Sequence, residues 1–232
     1  MKTFLSRLLT RLSFLTAEVA VLLLVFAAGF ATFFYLTRVV FVAHSAALDT
    51  WAFQQLDALR RAVPGLTNWV QVVTFFASAP FLVGAALVLP AGLRWAQRRR
   101  EAWEVFLTIL GAALLNQALK VHFHRLRPDS ALVRQLGLSF PSGHAMIGMA
   151  LYGCLGWLLW RHGRHPAWAL LLLGWAILIG LTRIYLHVHY ATDVLAGFAA
   201  GLSWLVLLRT ALHLWWREGQ VLNREQSPET TG

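Results

Sequence analysis

Charge is scarce in this sequence: 13% of its 232 residues are Asp, Glu, Lys or Arg, about half the ~25% of an ordinary soluble domain. With 58% hydrophobic residues, 11 Trp and 15 Phe, there is too little polar side chain to cover a water-facing surface. That excludes a soluble globular domain, and a disordered chain as well. Cysteine is almost missing. The one thiol, Cys154, lies in an apolar run, so no intrachain disulfide forms and no thiolate set is at hand for a metal. Acidic residues number ten, with no H-E-x-x-H and no D-x-D pair, which leaves too few ligands for paired-metal phosphoryl chemistry. His122, His124, His187 and His189 match no standard zinc spacing. No metal and no cofactor are expected. Internal repeats are absent, and no Gly-rich loop ends in Lys-Ser or Lys-Thr, so a P-loop nucleotide site is excluded too.

What the chain has in abundance is long apolar runs. Val19–Thr37 and Asn68–Leu93 are close to the ~20 residues that cross a bilayer. Basic residues precede the first as in a secretory signal, but its length, its Phe-rich far end and the lack of an A-x-A site favour an uncleaved span. Four further runs are shorter: Val105–Leu119, Ala145–Trp160, Ala167–Thr182 and Val194–Leu208, each bounded at one end by Lys120, His144, Arg183 or Asp193. Spans this short are expected to continue past their charges, which places ionisable groups at or below the interface. Such groups are costly in lipid and are functional candidates by default.

The reading is therefore an all-α, polytopic membrane helix bundle with six transmembrane spans and both termini inside. One integral-membrane domain covers residues 1–217, its core about 104–209, followed by a loose polar tail at 218–232. The net charge of +10 is then the basic bias of cytoplasmic loops and not a nucleic-acid face. With the N-terminus inside, twelve Lys and Arg fall inside and eight outside, and three of those eight (Lys120, Arg127, Arg183) acquire a chemical use. Between the first two spans, Leu48, Ala52, Leu56, Leu59 and Val63 recur at helical spacing among Asp49, Asp57, Arg60 and Arg61, ending at Pro64-Gly65. An amphipathic helix on the outer face fits, as a simple surface connection.

Three short stretches gather the polar chemistry at outer ends of spans. Lys120 to Pro128 leaves the third span, Pro141-Ser142-Gly143-His144 opens the fourth, and Thr182 to Asp193 joins the fifth to the sixth. Arg127 and Arg183 can each fork onto two phosphate oxygens, and Lys120 adds a point charge. Ser142 and Gly143 let the free N–H groups of a helix start approach an anion. His189 and Asp193 are four apart, so on a first helical turn the carboxylate reaches one ring nitrogen and leaves the other as a nucleophile. His144 is then the general acid, and attack gives a phosphohistidine that water hydrolyses.

Those stretches resemble the three signatures of the type 2 phosphatidic acid phosphatase superfamily, membrane lipid phosphatases related to vanadium haloperoxidases. Its Lys-x6-Arg-Pro reads Lys120–Arg127-Pro128, its Pro-Ser-Gly-His reads Pro141–His144, and its Ser-Arg-x5-His-x3-Asp reads Arg183–His189–Asp193, with Thr182 in place of the Ser. The resemblance implies His189 as nucleophile, Asp193 as its orienting acid and His144 as general acid. It implies Lys120, Arg127, Ser142, Gly143 and Arg183 as phosphate ligands, without metal. The implied activity is removal of a terminal phosphate from a lipid phosphate or diphosphate: undecaprenyl diphosphate, phosphatidylglycerophosphate or phosphatidate. The implied setting is a bacterial inner membrane, with the site facing the periplasm or exterior. A lipid phosphotransferase would use the same residues, and a non-catalytic lipid-binding or transport protein would not need His144, His189 and Asp193 together. Arg38, Arg125 and Arg134 are read as snorkelling to headgroups; His122, His124 and His187 are read as packing residues beside the site.

Overall fold

The computed structural model describes the backbone of residues 2–225 and the side chains of residues 20–216. Within them all regular structure is helical, and no strand occurs. The elements are α1 (Lys2–Phe41), α2 (Ala47–Ala62), α3 (Leu66–Phe75), α4 (Ala79–Trp95), α5 (Arg99–Phe123), α6 (Gly143–Arg161), α7 (Ala167–Tyr185) and α8 (Ala191–Glu225). Six segments are long and apolar enough to cross a membrane: Ala20–Phe41, Leu66–Trp95, Arg99–Phe123, Gly143–Arg161, Ala167–Tyr185 and Ala191–Trp216. The short runs do continue past their charges. Lys120 falls in the last turn of α5, His144 in the first turn of α6, Arg183 in the last turn of α7 and Asp193 in the first turn of α8. Because successive spans alternate in direction, those four turns share one end of the bundle.

Two expectations need correction, and one span carries a break that the sequence reading did not address. The second span is not one helix: it breaks between α3 and α4 at residues 76–78. Pro80 stands in the first turn of α4, where its ring has no N–H to give and would clash with the carbonyl four residues back. That carbonyl, Phe76 O, instead accepts from the Tyr152 hydroxyl at 2.7 Å, so it is not left orphaned at the break. The helix expected on the surface, α2, is more than a connection: Asp49 and Ala52 are buried, and Ala52 packs with Ile184, Ala191 and Val194. Finally α8 continues to Glu225, so the expected loose tail starts as helix; residues 226–232 lie outside the described residues.

The core sits around α8, which packs on α1, α5 and α6. Its approach to α6 is set by bare backbone. A Cβ on Gly197 would lie 2.7 Å from Ser142 O and 2.9 Å from the Ala145 Cβ, and one on Gly201 would run into the Met146 backbone. Small residues four apart on one helix face allow this kind of contact between membrane helices. At the end of the bundle away from the four polar turns, Arg209 donates to Glu104 at 3.2 Å and lies over the Trp157 ring at 3.5 Å. Those contacts tie α5, α6 and α8 together.

Candidate active site

The α6–α8 contact brings two of the three polar stretches into register. Ser142 N donates to Asp193 O at 3.0 Å, so the helix start carrying Ser142, Gly143 and His144 is bonded directly to the first turn that carries Asp193. His189 lies just before α8 and not within it, in the turn that reverses the chain after α7. Its Nδ1 is 3.5 Å from Asp193 Oδ2 and 3.4 Å from Ser139 Oγ. Ser139 Oγ also donates to Asp193 Oδ2, which takes Tyr190 N at 3.0 Å as well.

On the other side of the ring, Arg127 Nη1 is 3.1 Å from His189 Nε2. A guanidinium has donors only, so Nε2 must be the acceptor and the proton sits on Nδ1, toward the carboxylate. Burial pushes the His189 imidazole down to about 4, opposed by its hydrogen bond to Asp193 and the charge there, while the Arg127 and Lys120 charges push it down further. The ring is neutral at neutral pH, with an unprotonated Nε2. Arg127 is itself held by Val188 O at 2.7 Å and Gly137 O at 3.1 Å, and Lys120 Nζ by Leu138 O at 2.5 Å. The loop from α5 to α6 thus fixes both cations with carbonyls.

A cavity of about 380 Å³ joins these groups. One end is lined by Lys120, Arg127, Gln135, Gly143, His144 and His189. The rest is apolar: Ala79, Leu82, Val83 and Ala86 of α4 face Phe106, Ile109, Leu110 and Ala113 of α5, each set at the i, i+3, i+4, i+7 spacing of one helix face. From Lys120 back to Phe106 the cavity follows α5 for roughly 21 Å at ~1.5 Å per residue.

Of the eight positions read from sequence, five line this cavity and three stand behind it. Asp193 is fully buried behind His189. Ser142 Oγ is buried at the start of α6, and among the described residues it has no hydrogen-bond partner. Arg183 is also buried; its Nη1 donates to Thr74 Oγ1 at 2.7 Å and its Nη2 to Gln135, while its Nε has no partner among the described residues. Two orphaned polar groups beside a cationic pocket are unusual, since buried polar atoms nearly always find partners. No three His, Cys, Asp or Glu side chains of the described residues converge as a metal site.

Residues 101–217, half the chain, match the model of the PAP2 superfamily. Phosphatidylglycerophosphatase B of Bacillus subtilis is 33% identical over 184 residues, spanning 73% of this chain and 89% of that protein. The chain belongs to the PAP2 superfamily. Its fold superposes on the crystal structure of the transmembrane PAP2 type phosphatidylglycerolphosphate phosphatase from Bacillus subtilis with a TM-score of 0.74 at 27% identity, over 82% of this chain and 96% of that one. A lipid A 1-phosphatase of Rhizobium johnstonii is 28% identical over 60% of this chain and 64% of its own length. This PAP2 protein is therefore a multi-span membrane lipid phosphatase.

Sequence reasoning missed several residues of the site. Arg125 does not snorkel. It is drawn in by two carboxylates, donating to Asp193 Oδ1 at 2.5 Å and Asp49 Oδ2 at 2.9 Å, and it lies 3.9 Å from the Tyr190 ring centre. Its place between Lys120 and Arg127 was the available signal. Ser139, Thr74 and Gln135 left no signal, because nothing in their own neighbourhoods marks them; they reach the site only through tertiary contact. His187 is buried, stacked on Phe53 with ring centres 4.2 Å apart, hydrogen-bonded to Ser130 at 2.9 Å, with its Nε2 3.0 Å from Asp57 Oδ1. It is a packing residue that braces α2, while His122 and His124 are exposed.

Proposed function

We propose that the enzyme removes a terminal phosphate from a membrane lipid phosphate, drawn from the outer leaflet, through a phosphohistidine on His189. One observation carries the reading: a single cavity has a cationic, histidine-bearing end and a two-helix apolar groove. A phosphate monoester on a lipid tail has that shape and polarity. Arg127, Arg183 and Lys120 neutralise the phosphoryl oxygens, and the orphaned Ser142 Oγ and Arg183 Nε supply further donors where charge spreads in the transition state. The N–H groups of Gly143, His144 and Ala145, which have no acceptor within the helix, add to the cradle.

Chemistry follows from the tautomer. His189 Nε2 attacks phosphorus in line with the leaving oxygen; the N–P bond forms as the P–O bond to the lipid breaks. His144 gives its proton to that oxygen, and Asp193 stabilises the positive charge that develops on the His189 ring. Neutral His144 then takes a proton from water, hydroxide displaces His189, and inorganic phosphate leaves. Metal assistance has no role in this scheme: the polar end of the cavity is lined by cations and carries no carboxylate, so a divalent ion would meet repulsion without ligands.

Phosphatidylglycerophosphate is the first substrate to expect, in view of the relative named phosphatidylglycerophosphatase B; undecaprenyl diphosphate and phosphatidate are its competitors. The excess of Lys and Arg in the loops of the opposite side supports a site on the periplasmic or exterior face of a bacterial inner membrane. The domain at 1–217, with its core about 104–209, is the unit that acts. The test is phosphate release by detergent-purified protein from each of the three lipids, with His189→Ala alongside and EDTA in a parallel series. Release from phosphatidylglycerophosphate, absent in the variant and unchanged by EDTA, is expected. An active His189→Ala enzyme would overturn the nucleophile, and loss of activity to EDTA restored by Mg²⁺ would overturn the metal-free scheme.

A further inference from the structure

Behind the histidine lies a second layer of charge that the reaction scheme leaves unused. Asp193 has two oxygens in different surroundings. Oδ2 faces His189, Ser139 and Tyr190 N, whereas Oδ1 takes a single cation, Arg125 Nη1, at 2.5 Å. Arg125 turns its other terminal nitrogen to Asp49 Oδ2 at 2.9 Å and shares Nη1 with Thr192 Oγ1 at 2.7 Å. Asp49 closes the circuit: its Oδ1 accepts Thr192 N at 2.8 Å and its Oδ2 accepts Thr192 Oγ1 at 3.0 Å. Asp49 is 2% exposed, although it belongs to the first turn of α2, a helix that lies across the end of the bundle.

These contacts join three separate pieces of chain: α2 through Asp49, the loop after α5 through Arg125, and the first turn of α8 through Thr192 and Asp193. Two buried carboxylates facing each other without a cation would repel, and one guanidinium forked between them removes the repulsion and fixes their angle. Lysine would offer the charge without the fork. Neither Asp49 nor Arg125 lines the cavity, so neither has a route to the substrate's phosphate.

We propose that Asp49 and Arg125 are positioning residues for the hydrolysis, a clamp from α2 that sets the carboxylate of Asp193 and through it the ring of His189. The proposal rests on the reading of His189 as nucleophile. The clamp gives α2 a function in turnover: docking of this helix and orientation of the catalytic imidazole are one event.

The experiment is steady-state phosphate release from phosphatidylglycerophosphate micelles by monodisperse, purified enzyme carrying Asp49→Asn, Asp49→Glu or Arg125→Lys, with melting temperature recorded for each. Asp49→Asn keeps the shape but loses the charge and turns a donor toward Arg125. It is expected to lower kcat about 10- to 100-fold, the worth of one charge-assisted hydrogen bond, with KM unchanged. Asp49→Glu, which retains a carboxylate, is expected to restore most of the loss. Arg125→Lys is expected to lower kcat about 10-fold, again at constant KM, and it decides the matter alone if Asp49→Asn gives no monodisperse protein. Wild-type kcat in Asp49→Asn or in Arg125→Lys would overturn the clamp. So would losses in Asp49→Asn and Asp49→Glu that are equal and follow their melting temperatures. His189→Ala keeps the two readings apart: a live His189→Ala enzyme removes the nucleophile, whereas a dead one beside a fully active Asp49→Asn enzyme removes the clamp alone.

Discussion

Replacing Gly197 by Ala is the sharpest test of how the site is assembled. The added methyl would stand 2.7 Å from Ser142 O, 2.9 Å from the Ala145 Cβ and 3.2 Å from Met146 N. Carbon contacts relax only at about 3.5–4.0 Å, and two of these neighbours are backbone, which no rotamer change moves away. The start of α6 must therefore part from α8 by about 1 Å. That shift falls on the bond from Ser142 N to Asp193 O, now 3.0 Å, and so between the helix start proposed to cradle phosphate and the acid beside His189. Displacement of about 1 Å in a reacting constellation costs roughly 100-fold in rate, and overpacking of this kind costs about 1–3 kcal/mol of stability. The assay is kcat/KM for phosphate release together with the melting temperature. Gly84→Ala is the control, since nothing lies within 4 Å of a Cβ there. The expected result is a loss of roughly 100-fold in Gly197→Ala and wild-type behaviour in Gly84→Ala. Gly197→Ala enzyme with wild-type kcat/KM and melting temperature would refute the claim that bare backbone contact sets the site.

Three further predictions concern protonation and the broken span. Burial drives the His189 imidazole down to about 4 from an ordinary 6.5, so the neutral ring is the folded form through the physiological range. Spectra of isotope-labelled histidine, assigned with His189→Ala, should show its Nδ1–H tautomer persisting down to about pH 5, and a titration centred on the ordinary value would contradict the buried geometry. The sign for stability follows: a depressed imidazole contributes fully above 6.5 and is lost as pH falls toward 4, so the melting temperature should drop over that window, less so in His189→Ala. Tyr152→Phe should destabilise by about 1–3 kcal/mol, because Phe76 O loses the hydroxyl that satisfies it at the break between α3 and α4; an unchanged melting temperature would show that the carbonyl needs no partner there.

Fold class and family were legible in the chain because they depend on local pattern. Apolar runs of membrane length, interrupted by Lys120, His144, Arg183 and Asp193, announce both the spans and the end of the bundle where polar groups collect. Spacing pointed to the His189–Asp193 pair, but the structure brings the two together with His189 in the turn just before α8 and only Asp193 in a helical turn. Tertiary structure decided the rest. Whether Arg125 reaches for headgroups or for carboxylates depends on Asp49, 76 residues away in sequence, and an arginine takes whichever anion the fold brings near. The same holds for Ser139 on Asp193 and Gln135 on Arg183, and for α2, whose amphipathic pattern tells that one face is covered but not by what. Gly197 and Gly201 read in the sequence as ordinary small residues of a span; only packing shows that the missing side chains are what let α8 hold Asp193, with His189 in the turn just before it, against the start of α6. Local periodicity is written into each segment by itself, whereas a contact between segments is a property of two surfaces, and neither stretch of sequence contains it alone.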